Sequence, residues 1–209
     1  MAGLEAGFQV LHITNLELST CTADSDAGKV LNDPSQKDFD YIPVKSSNNR
    51  IVGVLERGSL NPSGSVRDHM RPLDDSMLVS AEEPLPKFLP TLVSSPFRLV
   101  VCGIEIRGIV TLSDVPKLPV RLLAFTLVAH LEAVLADVIR KECNHDEEWL
   151  ALLDKRQRGQ IEKRLENRRK QNIHLLSLIE VTDLSHKITV VGKLRRLPDF
   201  ENNLGPIGN

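Results

Sequence analysis

The chain has 209 residues, 41% of them hydrophobic and 26% charged, enough for a real core and for one or two domains. With 26 basic and 28 acidic residues the net charge is −2, so overall charge does not draw the molecule to nucleic acid. Aromatic residues make up 4%, with a single Trp149 and a single Tyr41, too few for a base-stacking platform. Cys21, Cys102 and Cys143 are odd in number, widely spaced and form no CxxC pair, which reads as reduced thiols of a cytoplasmic protein. The opening "MAGLEAGFQV" has neither a basic n-region nor a long apolar h-region, so no signal peptide is expected.

In chain order, "TADSDAGKVLND" (22–33) offers a helix started by Asp or Ser. "DYIPVKSSNNRIVGVL" (40–55) predicts a strand, a polar turn at Ser46–Asn49 and a second strand. "NPSGSVRDHM" (61–70) is a breaker-rich connection closed by a short helical segment. The order then recurs. "SAEEPLPKFLPTLVSS" (80–95) predicts a helix that Pro84, Pro86 and Pro90 must distort or shorten, and "PFRLVVCGIEIRGIVTL" (96–112) predicts strand, Gly103 turn and strand. Gly53 and Gly108, 55 residues apart, each precede a β-branched run, so two small α/β units, neither able to bury its face alone, are expected to pack together.

Residues 116–142 predict one long helix, with Pro116 and Pro119 in its first turn and Val120, Leu123, Leu127, Leu131, Val134 and Val138 at helical spacing. The stripe is broad enough that packing on both sides is expected. Arg121, His130, Glu132 and Asp137 interrupt it, which argues against a membrane span. "NHDE" (144–147) predicts a capping box with Asn144 as cap and Glu147 returning. Helical patterns follow at about 146–156, 160–170 and 183–196.

The stretch "GIVTLSDV" places a hydroxyl, Thr111, and a carboxylate, Asp114, where strand hands over to helix. Ser, Thr and Asp are the commonest helix caps, so simple capping explains them. A phosphate held by the hydroxyl and the helix start, with a ribose diol held by the carboxylate, explains them too. Spacing alone leaves both readings open.

The repeat, "DYIPV" before a glycine-containing strand, "SVRDHMRP" between the copies and "GIVTLSD" at the end together resemble the cystathionine-β-synthase (CBS) domain pair, or Bateman module, over roughly residues 12–120. The resemblance implies an α/β fold, two β-α repeats (about 12–60 and 64–117) packed with pseudo-two-fold symmetry in a domain spanning 1–117, with clefts for adenine nucleotides such as AMP, ADP or ATP. It further implies that Gly108, Thr111 and Asp114, with Ser113 in the same segment, contact phosphate and ribose, while Leu78, Val79, Ser80 and the strand from Pro96 through Arg98 and Leu99 line the base side. Aligning Gly53 with Gly108 puts Glu56 at the position of Thr111 and Ser59 at that of Asp114, so the first cleft is expected to reject phosphate.

The helical remainder, 118–196 with a tail at 197–209, resembles HEPN-like bundles fused to CBS pairs, and the end of the sequence reads like that of a truncated member. Arg169 and His174 match the HEPN Arg-x4–6-His ribonuclease motif, but within an arginine-rich helix where such a match arises by chance. Residues 155–170 carry eight basic side chains against Glu162 and Glu166; lacking interleaved aromatics, they read as a solvated helix before an RNA surface. Cys143, His145 and Asp146 have no second cluster at metal-ligand spacing, so no metal site is expected. The expectation is therefore a non-catalytic, nucleotide-sensing cytoplasmic homodimer. A HEPN-type RNA-binding or RNA-cleaving effector gated by the CBS pair is the alternative.

Overall fold

The computed structural model describes residues 7–58, 63–170 and 177–195. Each β-branched run flanking a turn closes into a hairpin: β2 (Tyr41–Lys45) with β3 (Ile51–Glu56), and β6 (Phe97–Cys102) with β7 (Glu105–Thr111). The turns use the residues that accept a left-handed backbone, Asn49 at φ 60° and Gly103 at φ 64°. A short parallel strand joins each hairpin, β1 (Cys21–Thr22) beside β2 and β5 (Leu78–Ser80) beside β6. β4 (Arg71–Pro72) adds to the free edge of β3. One sheet therefore runs β1-β2-β3-β4 and the other β5-β6-β7.

The second sheet has its own edge partner in Asn15, which exchanges two backbone hydrogen bonds with Ile109 at 3.0 and 3.1 Å. This explains the repeated glycines. A Cβ on Gly53 would lie 2.6 Å from the Arg71 carbonyl oxygen, and one on Gly108 would lie 2.2 Å from Thr14 Cγ2 and 2.7 Å from the Asn15 oxygen. Only glycine lets the edge segment cross that closely.

The connecting helices are short. α1 (Ala27–Asn32) starts at Asp26, whose carboxylate accepts from the Lys29 N–H at 2.8 Å. α2 (Val66–His69) follows β3, and α3 (Leu85–Phe88) passes into a 3-10 turn, Leu89–Val93. The continuous helix expected over 80–95 is thus broken: Pro84 precedes its first turn, Pro90 cannot donate into it, and Ser80 belongs to β5.

Ile42, Val44, Leu55 and Val66 form the core over the first sheet; Leu85, Phe88, Val100 and Val110 form that over the second, joined by Val10 and Ile13 from the N-terminal 3-10 turn Val10–Ile13. Between the repeats Val54, Met77, Phe97, Leu99 and Ile109 are buried together. Tyr41 and Phe97, equivalent first residues of the two hairpins, stack with ring centroids 4.5 Å apart, as a pseudo-two-fold axis between copies requires.

The chain divides into two units, 1–123 and 124–209, within α4 (Leu118–Glu142). In the second unit α5 (Asp146–Ala151), α6 (Lys155–Lys170) and α7 (Leu184–Leu194) join the end of α4 around Ala136, Ile139, Trp149, Leu153, Ile161 and Val190. The Trp149 indole N–H donates to Asp146 Oδ1 at 2.9 Å. The expected Asn144–Glu147 box does not form; Glu148 accepts from the Asn144 N–H at 3.1 Å and the residue preceding α5 is His145. A reciprocal pair that the sequence reading passed over, Asp154 with Gln157 at 2.8 and 3.1 Å, starts α6 earlier than expected.

Within the single chain α4 is covered on part of its surface only. Leu118 is 63%, Phe125 72% and Leu131 45% exposed, and Leu122, Leu127, Val128 and Val134 are exposed as well. By length and composition alone the helix could cross a membrane, its most apolar window having a mean hydropathy of 2.0. Beyond Val134, however, Ala136 and Ile139 are buried, and Glu132 is held at 2.7 Å by Lys187 of α7.

A candidate ligand cleft at the end of the second hairpin

Thr111 is the last residue of β7 and opens the 3-10 turn Leu112–Asp114. The turn forms a closed capping box. The Thr111 N–H donates to Asp114 Oδ2 at 2.7 Å, its hydroxyl donates to the same oxygen at 3.2 Å, and it accepts from the Asp114 N–H. Lys117 forms an ion pair with Asp114 Oδ1 at 2.8 Å and donates to the Ile13 carbonyl at 2.6 Å. The capping reading of the sequence holds, and Asp114 is at the same time a fixed carboxylate lining a cleft.

That cleft encloses about 290 Å³. One wall is Ile109 and Thr111–Asp114 with Pro96 and Asn15; the other is Asp38, Phe39, Asp40 and Tyr41 from the first repeat. The second wall is built by Arg57, just beyond β3. Its guanidinium donates to the carbonyls of Phe39 (2.9 Å), Leu31 (2.6 Å) and Gln36 (2.5 Å), and its N–H donates to that of Asp40 at 2.8 Å. One side chain thereby fixes the loop leading into β2. Burial, then the charges of Glu56 and Asp40, raise the pKa of the Tyr41 phenol.

Of the residues proposed for the site, Thr111, Ser113, Asp114 and Pro96 line this cleft. Gly108 does not; it serves the crossing of Asn15. Leu78, Val79 and Ser80 lie on β5 and line a separate cleft of about 570 Å³ with Glu82 and Gly103. Leu99 is fully buried in the inter-repeat core, and Arg98 turns its guanidinium back onto the Ser95 and Phe97 carbonyls at 3.3 and 3.0 Å. Asp38, Phe39, Asp40 and Asn15 are lining residues that sequence reasoning missed. The one available signal was "FDY" at the start of the first hairpin, opposite "SPF" in the second.

In the first repeat, Glu56 stands 3.9 Å from Arg71, which also bonds Asp74 at 3.4 Å, so its carboxylate sits beside a shared cation. Ser59 lies outside the described residues, as do His174 and the tail; Arg169 is exposed on α6. Among the described residues no group of three or more His, Cys, Asp or Glu side chains is placed to hold a metal ion.

No family model matches the sequence, and no curated protein matches it. Solved structures that are similar include CBSX2 in complex with AMP, at 19% identity over 58% of this chain and 98% of that one, with a TM-score of 0.47. The CBS domain of a bacterial CNNM/CorC family Mg2+ transporter in complex with ATP is similar at 19% identity over 57% and 91%, with a TM-score of 0.46. The CBS domains of a transcriptional regulator from Streptococcus pneumoniae are similar at 18% identity over 51% and 95%, with a TM-score of 0.43. The chain's own topology, two β-α-β-β repeats facing each other through Tyr41 and Phe97 and followed by helices, is the fold class that the sequence implied.

Proposed function

We propose that the first unit is a non-catalytic regulatory module that senses an adenine nucleotide in the Thr111–Asp114 cleft. The observation that carries this is the pairing of a hydroxyl- and carboxylate-bearing turn with an aromatic wall across a cleft of about 290 Å³, near the lower bound for small-molecule sites. Phe39, Tyr41, Pro96 and Ile109 all line the cleft, and we assign the flat base to them, with one face of Tyr41 already spent on Phe97. Asp114 Oδ2 already accepts two hydrogen bonds, whereas Oδ1 is engaged by Lys117 and keeps a lone pair for a ribose hydroxyl. Because the Thr111 hydroxyl is committed to Asp114, the Ser113 hydroxyl is the donor left for a phosphate oxygen.

The same turn leads into α4: the Lys117 N–H donates to the Asp114 carbonyl at 3.1 Å, and the Lys117 ammonium ties this point to Ile13. A ligand that draws on Asp114 loads the root of the long helix, which is the route we assign to signalling. We place the chain in the cytoplasm as a homodimer joined through the exposed apolar side chains of α4. A thermal-shift series tests the sensing role, because a ligand held only by the native state raises the midpoint by mass action, about 2.7 kcal/mol at 100 times Kd. A midpoint indifferent to adenosine, AMP, ADP and ATP at millimolar concentration rejects it.

A further inference from the structure

Every formally charged side chain lining the Thr111–Asp114 cleft is acidic: Asp38, Asp40 and Asp114. Two nearby cations are engaged elsewhere. Lys117 holds Asp114 and the Ile13 carbonyl, and the Arg57 guanidinium holds three loop carbonyls. Asp38 and Asp40 are exposed side chains of the loop that Arg57 fixes, and both line the cleft.

We infer that Asp38 and Asp40 are specificity residues that select against a polyphosphate tail, so that the cleft takes an adenine nucleoside carrying at most one phosphate. The inference rests on the nucleotide-sensing reading and adds the sign of its charge preference. A polyphosphate tail leaving the ribose would meet these carboxylates in a cleft with no lysine or arginine among its lining residues, whereas phosphate sites are ordinarily built from such cations. At moderate ionic strength the repulsion is felt over roughly 10 Å, which covers the rim of a cleft this size.

Calorimetric titration of the full chain with 5′-amino-5′-deoxyadenosine, adenosine, AMP, ADP and ATP tests it. Affinity is expected to fall in that order, by about threefold for each added phosphate at low salt, with the steps shrinking in 0.5 M NaCl. The double variant Asp38→Asn/Asp40→Asn is expected to flatten the series and to keep the parent's melting temperature, since both side chains are exposed. ATP binding tighter than AMP, or a series unchanged by the double variant, overturns the inference while the sensing role stands. If no member of the series binds, the sensing role itself has failed.

Discussion

Gly108→Ala is the substitution that tests most sharply how the two repeats are held. The new methyl would sit 2.2 Å from Thr14 Cγ2 and 2.7 Å from the Asn15 carbonyl oxygen, so something must move. Thr14 cannot rotate freely, because its hydroxyl donates to the Val10 carbonyl at 2.8 Å. Asn15 cannot retreat without stretching both of its hydrogen bonds to Ile109. Overpacking costs about 1–3 kcal/mol and one lost hydrogen bond about 1, so a loss of about 2–4 kcal/mol is expected. For a unit of this size that corresponds to a melting-point drop on the order of 10 °C, read by calorimetry. Gly53→Ala, facing the Arg71 carbonyl and the more yielding Met70 thioether, should lose less. Gly159→Ala, in α6 with nothing within 4 Å, should gain up to about 1 kcal/mol. A Gly108→Ala protein that melts with the parent would refute the close crossing of the N-terminal segment over β7.

Other outcomes follow from single contacts. Glu132→Ala leaves Lys187, 3% exposed, without its half-buried carboxylate, and should destabilise the helical unit by about 1.5–3 kcal/mol, whereas replacing both by apolar residues should be milder; urea denaturation measures both. Burial raises the pKa of the Cys21 thiol to about 11, and burial with Glu148 and Glu142 raises that of Cys143; both should resist alkylation in the native protein at pH 8 and react once unfolded, as mass spectrometry will show. Replacing Leu127 and Leu131 of α4 together by Asp should abolish the proposed dimer, and sedimentation of a parent protein that is monomeric at micromolar concentration contradicts that dimer.

The hairpins, their turns and the long helix were legible in the sequence because each is set by local chemistry: β-branched runs, Asn49 or Gly103 at a left-handed turn, a helical apolar period. The paired glycines were legible as a repeat but not in purpose. Their reason lies in Asn15 and Arg71, edge partners supplied from elsewhere in the chain. Half of the cleft was readable too, since Thr111 and Asp114 cap each other within four residues. The opposite wall was not, because the Phe39 and Asp40 carbonyls are held by hydrogen bonds from Arg57, 18 residues beyond Phe39 along the chain. Where Leu78–Ser80, Arg98 and Leu99 lie relative to Thr111–Asp114 was not legible either: strand register, set by Leu78 pairing with Leu99, carries Leu99 to the core and Leu78–Ser80 to a separate cleft. The capping miss at Asn144 came from choosing between adjacent glutamates, where one residue decides which carboxylate can turn back.

The most direct measurement is calorimetric titration of AMP into the parent protein and into Asp114→Ala. The variant gives up the Thr111 cap and the Lys117 ion pair, about 1–3 kcal/mol of stability, so a cooperative melt must first be recorded. If the cleft is the sensor, the parent binds about one AMP per chain and the folded variant loses on the order of 1.5–3 kcal/mol of binding free energy, roughly a tenfold to hundredfold weaker Kd. Equal affinities in parent and folded variant, or two equivalent sites per chain, would contradict the assignment and leave Asp114 a helix cap alone.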